Sequence, residues 1–197
     1  REWPFDPQRI NARIVPGDDG RSKLQLRLDL GLMQMELDGR PDGQRPEGRE
    51  SWLEVMEARW ALAGGDEEFE LSGEDCARLQ AEAVQYYHRY LSLAHLEDWA
   101  RVKRDTERNL RCFVFVERHA PSAEVAWGLR QFTPFVEMMR TRAAAMLELG
   151  AERVGEAVRL VDAGIGRIEE FLRGHVQDED ADDSAELRSL REWREEL

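Results

Sequence analysis

The sequence predicts an α+β fold that is mainly α, in which a three-stranded antiparallel β-meander precedes a series of antiparallel helical hairpins. Three observations predict it. Apolar and polar residues alternate between residues 23 and 37, and from residue 49 onward apolar residues recur every three or four positions. Helix-capping residues precede several of these helical stretches. A chain of 197 residues can also bury a core without disulfides or metal.

Three strands are predicted at residues 10–15, 23–30 and 33–37, with turns at "PGDDG" and near Gly31. Three strands alone are marginally stable, so we expect their Leu- and Met-rich side to pack on helices. The Pro- and Gly-rich segment "DGRPDGQRPEG" ends the sheet. Its Asp38, Asp42 and Glu47 lack the spacing of a calcium loop, which indicates solvated turns and no metal site.

The first helix is predicted within residues 49–63 and ends at Gly64. Ser72, followed three residues later by Asp75, is typical of a capping box and predicts a long helix that ends near His95. The spacing predicts that the inner stripe of this helix consists of Val84, Tyr87, Leu91 and Ala94.

A break near Asp98 starts the next helix, and the short connection predicts an antiparallel pair. Its expected buried residues are Trp99, Val102, Leu110, Phe113 and either Val114 or Val116. Ser122 is the expected cap of a third helix, which Pro134 either kinks or restarts with Thr133 as the cap. The last stripe consists of Val154, Val158, Val161, Ile165, Ile168 and Leu172.

The composition disfavours several classes of function. The chain has 41 acidic and 28 basic residues, a net charge of −13, and its arginines are scattered among acidic residues instead of forming a patch. We therefore expect neither nucleic acid nor an anionic membrane surface as a partner. Cys76 and Cys112 fit no zinc or redox spacing, and no apolar stretch is long enough to span a bilayer. These features predict a cytoplasmic location.

Two helix junctions resemble the tetratricopeptide helix pair, in which a turn precedes an aromatic residue and an inward small residue. Asp98, Trp99 and Val102 match those positions in one pair, and Gly150 and Ala157 match them in another. The resemblance implies a tetratricopeptide-like helical body with a surface for protein partners. We expect three regions: the meander and turn-rich segment at 1–48, the helical body at 49–176, and an acidic linker with the start of a C-terminal helix at 177–197.

Several longer segments carry a second resemblance. They are "WPFDP" at 3–7, "DLGLMQMELDGRPDG" at 29–43, "YYHRYLSL" at 86–93, "RDTERNLRCFVFV" at 104–116 and "PFVEMMRTRAAAMLEL" at 134–149. The chain resembles uncharacterised bacterial proteins that carry a UvrB/UvrC-type (UVR) motif at the C-terminus. In that family the motif is a short acidic helical hairpin that pairs protein with protein.

Residues 179–193, "EDADDSAELRSLREW", echo part of that motif. Ala181 stands where the motif has an aromatic residue, and Ser189 stands where it has Asp. The expectation is therefore that this segment is the linker and helix ahead of the motif. The motif itself is then expected beyond Leu197, in a chain trimmed at both ends.

No group of residues predicts catalysis. His88 and His95 are seven positions apart, which is a poor spacing for chelation on one helix. No serine has a plausible base, no glycine loop is typical of a phosphate site, and no carboxylate pair stands out from the acidic background. We expect no enzyme activity, no metal and no cofactor.

One aromatic cluster is a candidate partner-binding site: Tyr86, Tyr87, Arg89 and Tyr90. The three tyrosines subtend too wide an arc of the helix to be buried together, so at least one should face away from the core. Tyrosine and arginine often anchor protein interfaces. The alternative is that the cluster packs on a neighbouring helix or on the sheet.

The leading hypothesis is a non-enzymatic protein–protein interaction or adaptor module that binds a protein or peptide between helices. The alternative is a regulatory or sensor domain that binds a small molecule in a pocket between the sheet and the helices. Association between copies of the chain stays open.

Overall fold

The computed structural model describes residues 3–64, 68–175 and 184–197, and it confirms a mainly α fold with a small N-terminal sheet. The strands are β1 (Asn11–Pro16), β2 (Ser22–Arg27) and β3 (Leu32–Glu36), and they form an antiparallel meander in the order β1-β2-β3. β2 is shorter than predicted because the amide of Leu28 donates to the carbonyl of Gly31 at 2.9 Å, which turns the chain into β3.

The apolar side of the sheet lies against the helices, as predicted. In the register, Leu24 of β2 is paired with Ile14 of β1 and Met35 of β3, which places these side chains on one face. Leu24 and Met35 are buried and pack in one cluster with Leu93 and Val102. The meander is therefore stabilised by the helices and does not stand alone.

The helical part follows in seven described α-helices: α1 (Trp52–Leu62), α2 (Gly73–His95), α3 (Trp99–His119), α4 (Ala123–Arg130), α5 (Thr133–Gly150), α6 (Val154–His175) and α7 (Ala185–Glu196). The predicted capping box is confirmed, because Ser72 Oγ accepts from the amide of Asp75 at 3.1 Å and the carboxylate of Asp75 accepts from the amide of Ser72 at 3.3 Å. The predicted cap at Ser122 is also confirmed.

Consecutive long helices form antiparallel hairpins. In the first hairpin Arg89 of α2 contacts Asp105 of α3, and closer to the start of α2 the carbonyl of Ala83 accepts from Asn109 Nδ2 at 3.0 Å. In the second hairpin Arg167 of α6 lies 2.5 Å from Glu137 of α5. In the α2–α3 hairpin, a contact nearer the start of α2 is made by a residue nearer the end of α3, which confirms the predicted antiparallel pairing.

The second hairpin is packed closely, and α7 continues it. A Cβ added at Gly164 of α6 would overlap the side chain of Thr141 of α5, so a glycine is required at this crossing. α7 buries Leu187 and Leu190 against the same pair of helices. The arginines of α7 also form ion pairs with α6, such as Arg194 with Asp162 at 2.9 Å.

The junction at Pro134 restarts the helix, which was one of the two predicted outcomes. The expected cap at Thr133 is wrong, because α5 begins at Thr133 and its N-cap is Phe132, which makes no side-chain hydrogen bond. Pro134 lies in the first turn of α5, where its missing N–H leaves no helical hydrogen bond unmade.

The predicted inner stripe of α2 is also wrong. Val84 and Tyr87 are exposed, and Leu91 and Ala94 are only partly buried. The helix instead buries Leu79, Ala83, Tyr86, Arg89, Tyr90 and Leu93. The reason is that α3 packs on the side of α2 that carries Arg89, whereas Leu91 and Ala94 lie beside the cluster that joins α2 to the sheet and are only partly covered. In α3 it is Val116 that is buried, whereas Val114 is exposed.

Within the described residues, no helix combines the length and the apolar character needed to cross a membrane.

Candidate functional site

The structure divides the four predicted partner-binding residues between two environments. Tyr86, Arg89 and Tyr90 are buried, whereas Tyr87 keeps 37% of its surface exposed. The prediction that at least one tyrosine faces away from the core is confirmed by Tyr87. Arg89, Tyr86 and Tyr90 are not surface anchors, because neighbouring elements cover them completely or nearly so.

Arg89 is bound by protein groups on every side. Its Nε and Nη2 donate to the two carboxylate oxygens of Asp105 at 2.7 and 2.8 Å, and Asp105 is itself fully buried. Its Nη1 donates to the backbone carbonyls of Glu36 and Gly39 at 3.0 and 2.8 Å. This bidentate pair with two further acceptors connects α2 to α3 and to the segment after β3.

Glu82 lies two helical turns before Arg89 on the same side of α2, and it is equally buried and equally well paired. Its carboxylate accepts from the backbone amides of Trp52 at 2.7 Å and Leu53 at 3.3 Å, at the N-terminus of α1. The guanidinium groups of Arg40 and Arg108 also contact it. Glu82 therefore joins α1, α2, α3 and the loop after β3 at one point.

Tyr86 packs against the two arginines that pair with these carboxylates. The guanidinium carbon of Arg89 lies 4.8 Å from its ring centroid and that of Arg108 lies 4.3 Å away, and its hydroxyl donates to the carbonyl of Gly39 at 3.5 Å. Burial raises the pKa of the Tyr86 hydroxyl, which stays neutral. We call Arg40, Glu82, Arg89, Asp105 and Arg108 the buried charge cluster. Its contacts hold residues 36–42 against the helices, so its role is structural.

The opposite side of α2 borders an open, mainly apolar depression of about 560 Å³. Val84 and Tyr87 of α2 form one wall, and Leu129, Phe132 and Phe135 near the α4–α5 junction form the other. The buried residues Asn109 and Phe113 of α3 form the floor. The complete lining is Gln80, Ala83, Val84, Tyr87, His88, Tyr90, Asn109, Phe113, Leu129, Phe132, Phe135, Val136 and Glu186.

A second depression of about 340 Å³ adjoins the first, because Gln80 and Leu129 line both. It lies between the first two turns of α2 and the start of α4, where Ala77, Glu124 and Val125 face it. We call the two depressions together the apolar groove. Apart from the buried Tyr90, its lining residues on α2 extend from Gly73 to His88, a length of roughly 22 Å at the helical rise per residue.

The walls of the apolar groove expose large apolar side chains to solvent. Phe132 is 50% exposed, Val84 is 48% exposed, and the ring of Tyr87 lies 6.1 Å from that of Phe135. Scattered apolar residues are normal on a surface, but several together along one groove are typical of a binding site. The groove therefore differs from the buried charge cluster in having apolar surface that no described residue covers.

Apart from Cys76, Tyr87 and Tyr90, the ionisable side chains that line the apolar groove are two carboxylates and one histidine. Glu124 lines the smaller depression and Glu186 lines the larger one, and no lysine or arginine is among the described residues that line either. Burial lowers the pKa of His88, so its imidazole is neutral near pH 7. The electrostatic character of the groove is therefore acidic.

The histidines and carboxylates that the sequence analysis examined as possible metal ligands do not come together at one site. His88 lines the groove, whereas His95 is exposed at the end of α2. Asp38 forms ion pairs with Arg101 and Arg104 beside the buried charge cluster. In the parts of the chain that the structure describes, no three His, Cys, Asp or Glu side chains are grouped as metal ligands.

Most residues of the groove were missed by sequence reasoning. Val84 was assigned to the core, and Phe132, Phe135 and Glu186 were not singled out. Tyr87 was assigned both to the inner stripe and to the candidate partner-binding cluster. One signal was available: α2 carries a second apolar stripe beside the buried one, and its two stripes together are wider than one neighbouring helix can cover. Nothing in the sequence indicates which of the two stripes is left open.

Comparisons of this chain with protein-family models, with curated proteins and with solved structures find no match.

Proposed function

We propose that this chain is a non-enzymatic protein–protein interaction module of the adaptor type, and that the apolar groove is its docking surface. The resemblance to UVR motif-containing proteins, the tetratricopeptide-like character of the body and a cytoplasmic location belong to the same proposal. One observation carries it: Val84, Tyr87 and Phe132 are exposed side by side along the two walls of one groove. Such surfaces bind protein segments elsewhere.

The shape of the groove supports a peptide or helix as the bound partner. It is open along its length, and it is bordered by helices on both sides. An apolar groove between helices can accept the apolar face of an amphipathic helix. Aromatic side chains such as Phe132, Phe135 and Tyr87 are enriched at protein interfaces.

A small-molecule sensor is the second candidate, and the size of the larger depression favours it. Its volume of about 560 Å³ lies within the range that is usual for ligand sites. This depression lies between helices, whereas the sequence hypothesis expected a pocket between the sheet and the helices. A sensor also requires convergent polar groups to orient its ligand. Here Gln80 and His88 are the nearest such groups, because the amide of Asn109 already bonds to Ala83 and Arg108.

The experiment is a selection of random peptides of about 15 residues, the length that spans the groove, against the immobilised protein. Counter-selection uses Val84→Gln, which removes an exposed apolar contact and retains a residue that favours helix. We expect to recover peptides that bind the wild type and the Val114→Gln control but do not bind the Val84→Gln variant. Val114 is an equally exposed valine outside the groove, on α3. Recovery of no groove-dependent peptide contradicts the proposal.

A further inference from the structure

We propose that the occupant of the apolar groove is a basic amphipathic helix: a segment of a partner protein of about four turns, with one apolar face flanked by Lys and Arg. This inference rests on the proposed function, since it names the partner of the same groove. It follows from the length of the groove, its walls and its charges.

The length sets the size of the occupant. The lining residues of α2 that reach solvent extend from Gly73 to His88, and roughly 22 Å accommodates about 15 residues of a helix lying along it. A ligand confined to the larger depression would leave Ala77 and Val125 of the smaller one uncovered. A helix lying along the groove would cover both depressions at once.

The walls set the pattern of the occupant. Val84 and Tyr87 on α2 and Phe132 across from them offer apolar contacts in a trough with a buried floor. A helix fills such a trough with side chains at positions i, i+3, i+4 and i+7, while its remaining positions stay in solvent. The neutral amide of Gln80 adds a hydrogen-bonding group without adding charge.

The charges of the groove determine the sign of the charge that the occupant should carry. Glu124 and Glu186 contribute one carboxylate to each depression, no described lining residue is a lysine or arginine, and the chain as a whole carries −13. Cationic groups at the edge of the apolar face would lie near these carboxylates, and the field of the whole chain would favour their approach. An acidic helix of the same shape would be repelled by the same groups.

The charge also disfavours two other occupants. A second copy of this chain would bring another −13 to the interface, and an anionic membrane surface would be repelled as well. Both remain measurable outcomes. A groove used between copies would make the protein a dimer, and a groove used on lipid would bind vesicles.

The experiment uses three fluorescein-labelled peptides of about 15 residues and the whole chain, with fluorescence anisotropy as the readout. The first has Leu on one helical face and Lys elsewhere. The second replaces every Lys by Glu. The third has the composition of the first but a scrambled order without an apolar face, which controls for attraction of any polycation to an acidic protein.

We expect the Leu/Lys peptide to bind at least about tenfold more tightly than either of the other two. Raising the salt concentration from about 50 mM to about 300 mM should weaken the binding of the Leu/Lys peptide several-fold without abolishing it, because the apolar contacts remain. This comparison needs only the wild-type protein, so it holds whatever a variant does to folding.

Variants then locate the site. Val84→Gln should lose about tenfold in affinity for the Leu/Lys peptide, whereas Val114→Gln should not change it. The double variant Glu124→Gln/Glu186→Gln should lose about threefold to tenfold. The matched control is Glu170→Gln/Glu195→Gln, which removes the same net charge at two exposed positions that do not line the groove.

The outcomes separate this inference from the function on which it rests. If the Leu/Lys and Leu/Glu peptides bind equally well and both bind the Val84→Gln variant more weakly, the groove is a docking surface but the inference that its partner is basic is wrong. The same holds if selected groove-dependent peptides are acidic or if Val84→Gln abolishes a dimer of this chain. Binding of anionic vesicles that depends on Val84 also overturns the inference. If no ligand depends on Val84, both proposals fail.

Discussion

The two long faces of α2 reverse the usual arrangement of a surface helix. On the face toward α3 and the segment after β3, Glu82 and Arg89 are fully buried, whereas on the face toward the groove Val84 and Tyr87 are exposed. Helices normally bury apolar side chains and expose charged ones. Charged groups with a full set of partners can therefore serve as core, and apolar groups without neighbours indicate a surface that another molecule can cover.

The largest expected effect is at Arg89. Arg89→Met leaves Asp105 buried without its bidentate partner, and the carbonyls of Glu36 and Gly39 lose a donor. We expect a loss of roughly 3–5 kcal/mol in the free energy of unfolding, measured with urea. Arg159→Met, which removes an exposed ion pair with Glu156, should stay within about 0.5 kcal/mol.

A small effect at Arg89 would break the comparison between the two faces. If Arg89→Met costs less than about 1 kcal/mol, the buried charge cluster does not hold residues 36–42 in place. The double variant Arg89→Met/Asp105→Leu should be more stable than the single variant, because it removes a buried carboxylate that has lost its bidentate partner and retains only Arg104.

The next effect is at Glu82. Glu82→Gln replaces a carboxylate that accepts from the amides of Trp52 and Leu53 by a neutral amide that has one acceptor oxygen. We expect a loss of about 1–3 kcal/mol in the free energy of unfolding. The control Glu107→Gln alters a half-exposed pair with Lys103 and should change stability by less than about 0.5 kcal/mol. Equal effects in the two variants would contradict a special role for Glu82.

The groove face should respond in the opposite way. Val84→Gln should change the free energy of unfolding by no more than about 0.5 kcal/mol, because the side chain is already half exposed. Val102→Gln places the same residue at a fully buried valine of α3 and should cost about 2–5 kcal/mol. A large loss for Val84→Gln would mean that the groove is part of the core and not a docking surface.

The smallest effect is a pH dependence at His88. Burial lowers the pKa of His88 in the folded chain, so below pH about 6.5 the unfolded chain binds more protons than the folded chain. The free energy of unfolding should therefore fall as the pH drops through about 6.5 toward the folded pKa, and level off below it. His88→Gln should show a smaller fall between about pH 8 and about pH 5 in urea titrations. If the free energy of unfolding falls equally with pH in His88→Gln and in the wild type, the side chain of His88 is solvated in the folded chain.

Local features of this fold could be read from the sequence. The alternation that includes Leu24, Leu26 and Met35 identified the strands, and Ser72 with Asp75 identified the start of the longest helix. These signals involve residues that are close in the chain, so no neighbour from elsewhere is needed to interpret them. The antiparallel hairpins followed from the short connection near Asp98 in the same way.

The candidate site was less accessible to sequence reasoning. Arg89 was expected at an interface, yet its partners come from α3, sixteen positions away, and from carbonyls of residues 36 and 39. Backbone acceptors leave no mark in a sequence, because every residue has a carbonyl. Phe132 belongs to the groove because of where the α4–α5 junction lies relative to α2, and that depends on packing over long distances.

The sequence by itself determined the order and type of the elements, the caps and turns that bound them, and the acidic character of the chain. The tertiary structure alone decided which stripe of α2 is covered, because exposure depends on the neighbours of a side chain and not on its own polarity. α3 and the sheet cover the stripe that contains Arg89, and α4 with the start of α5 leaves Val84 and Tyr87 open. The same contacts that bury two full charges thus leave an apolar groove facing solvent.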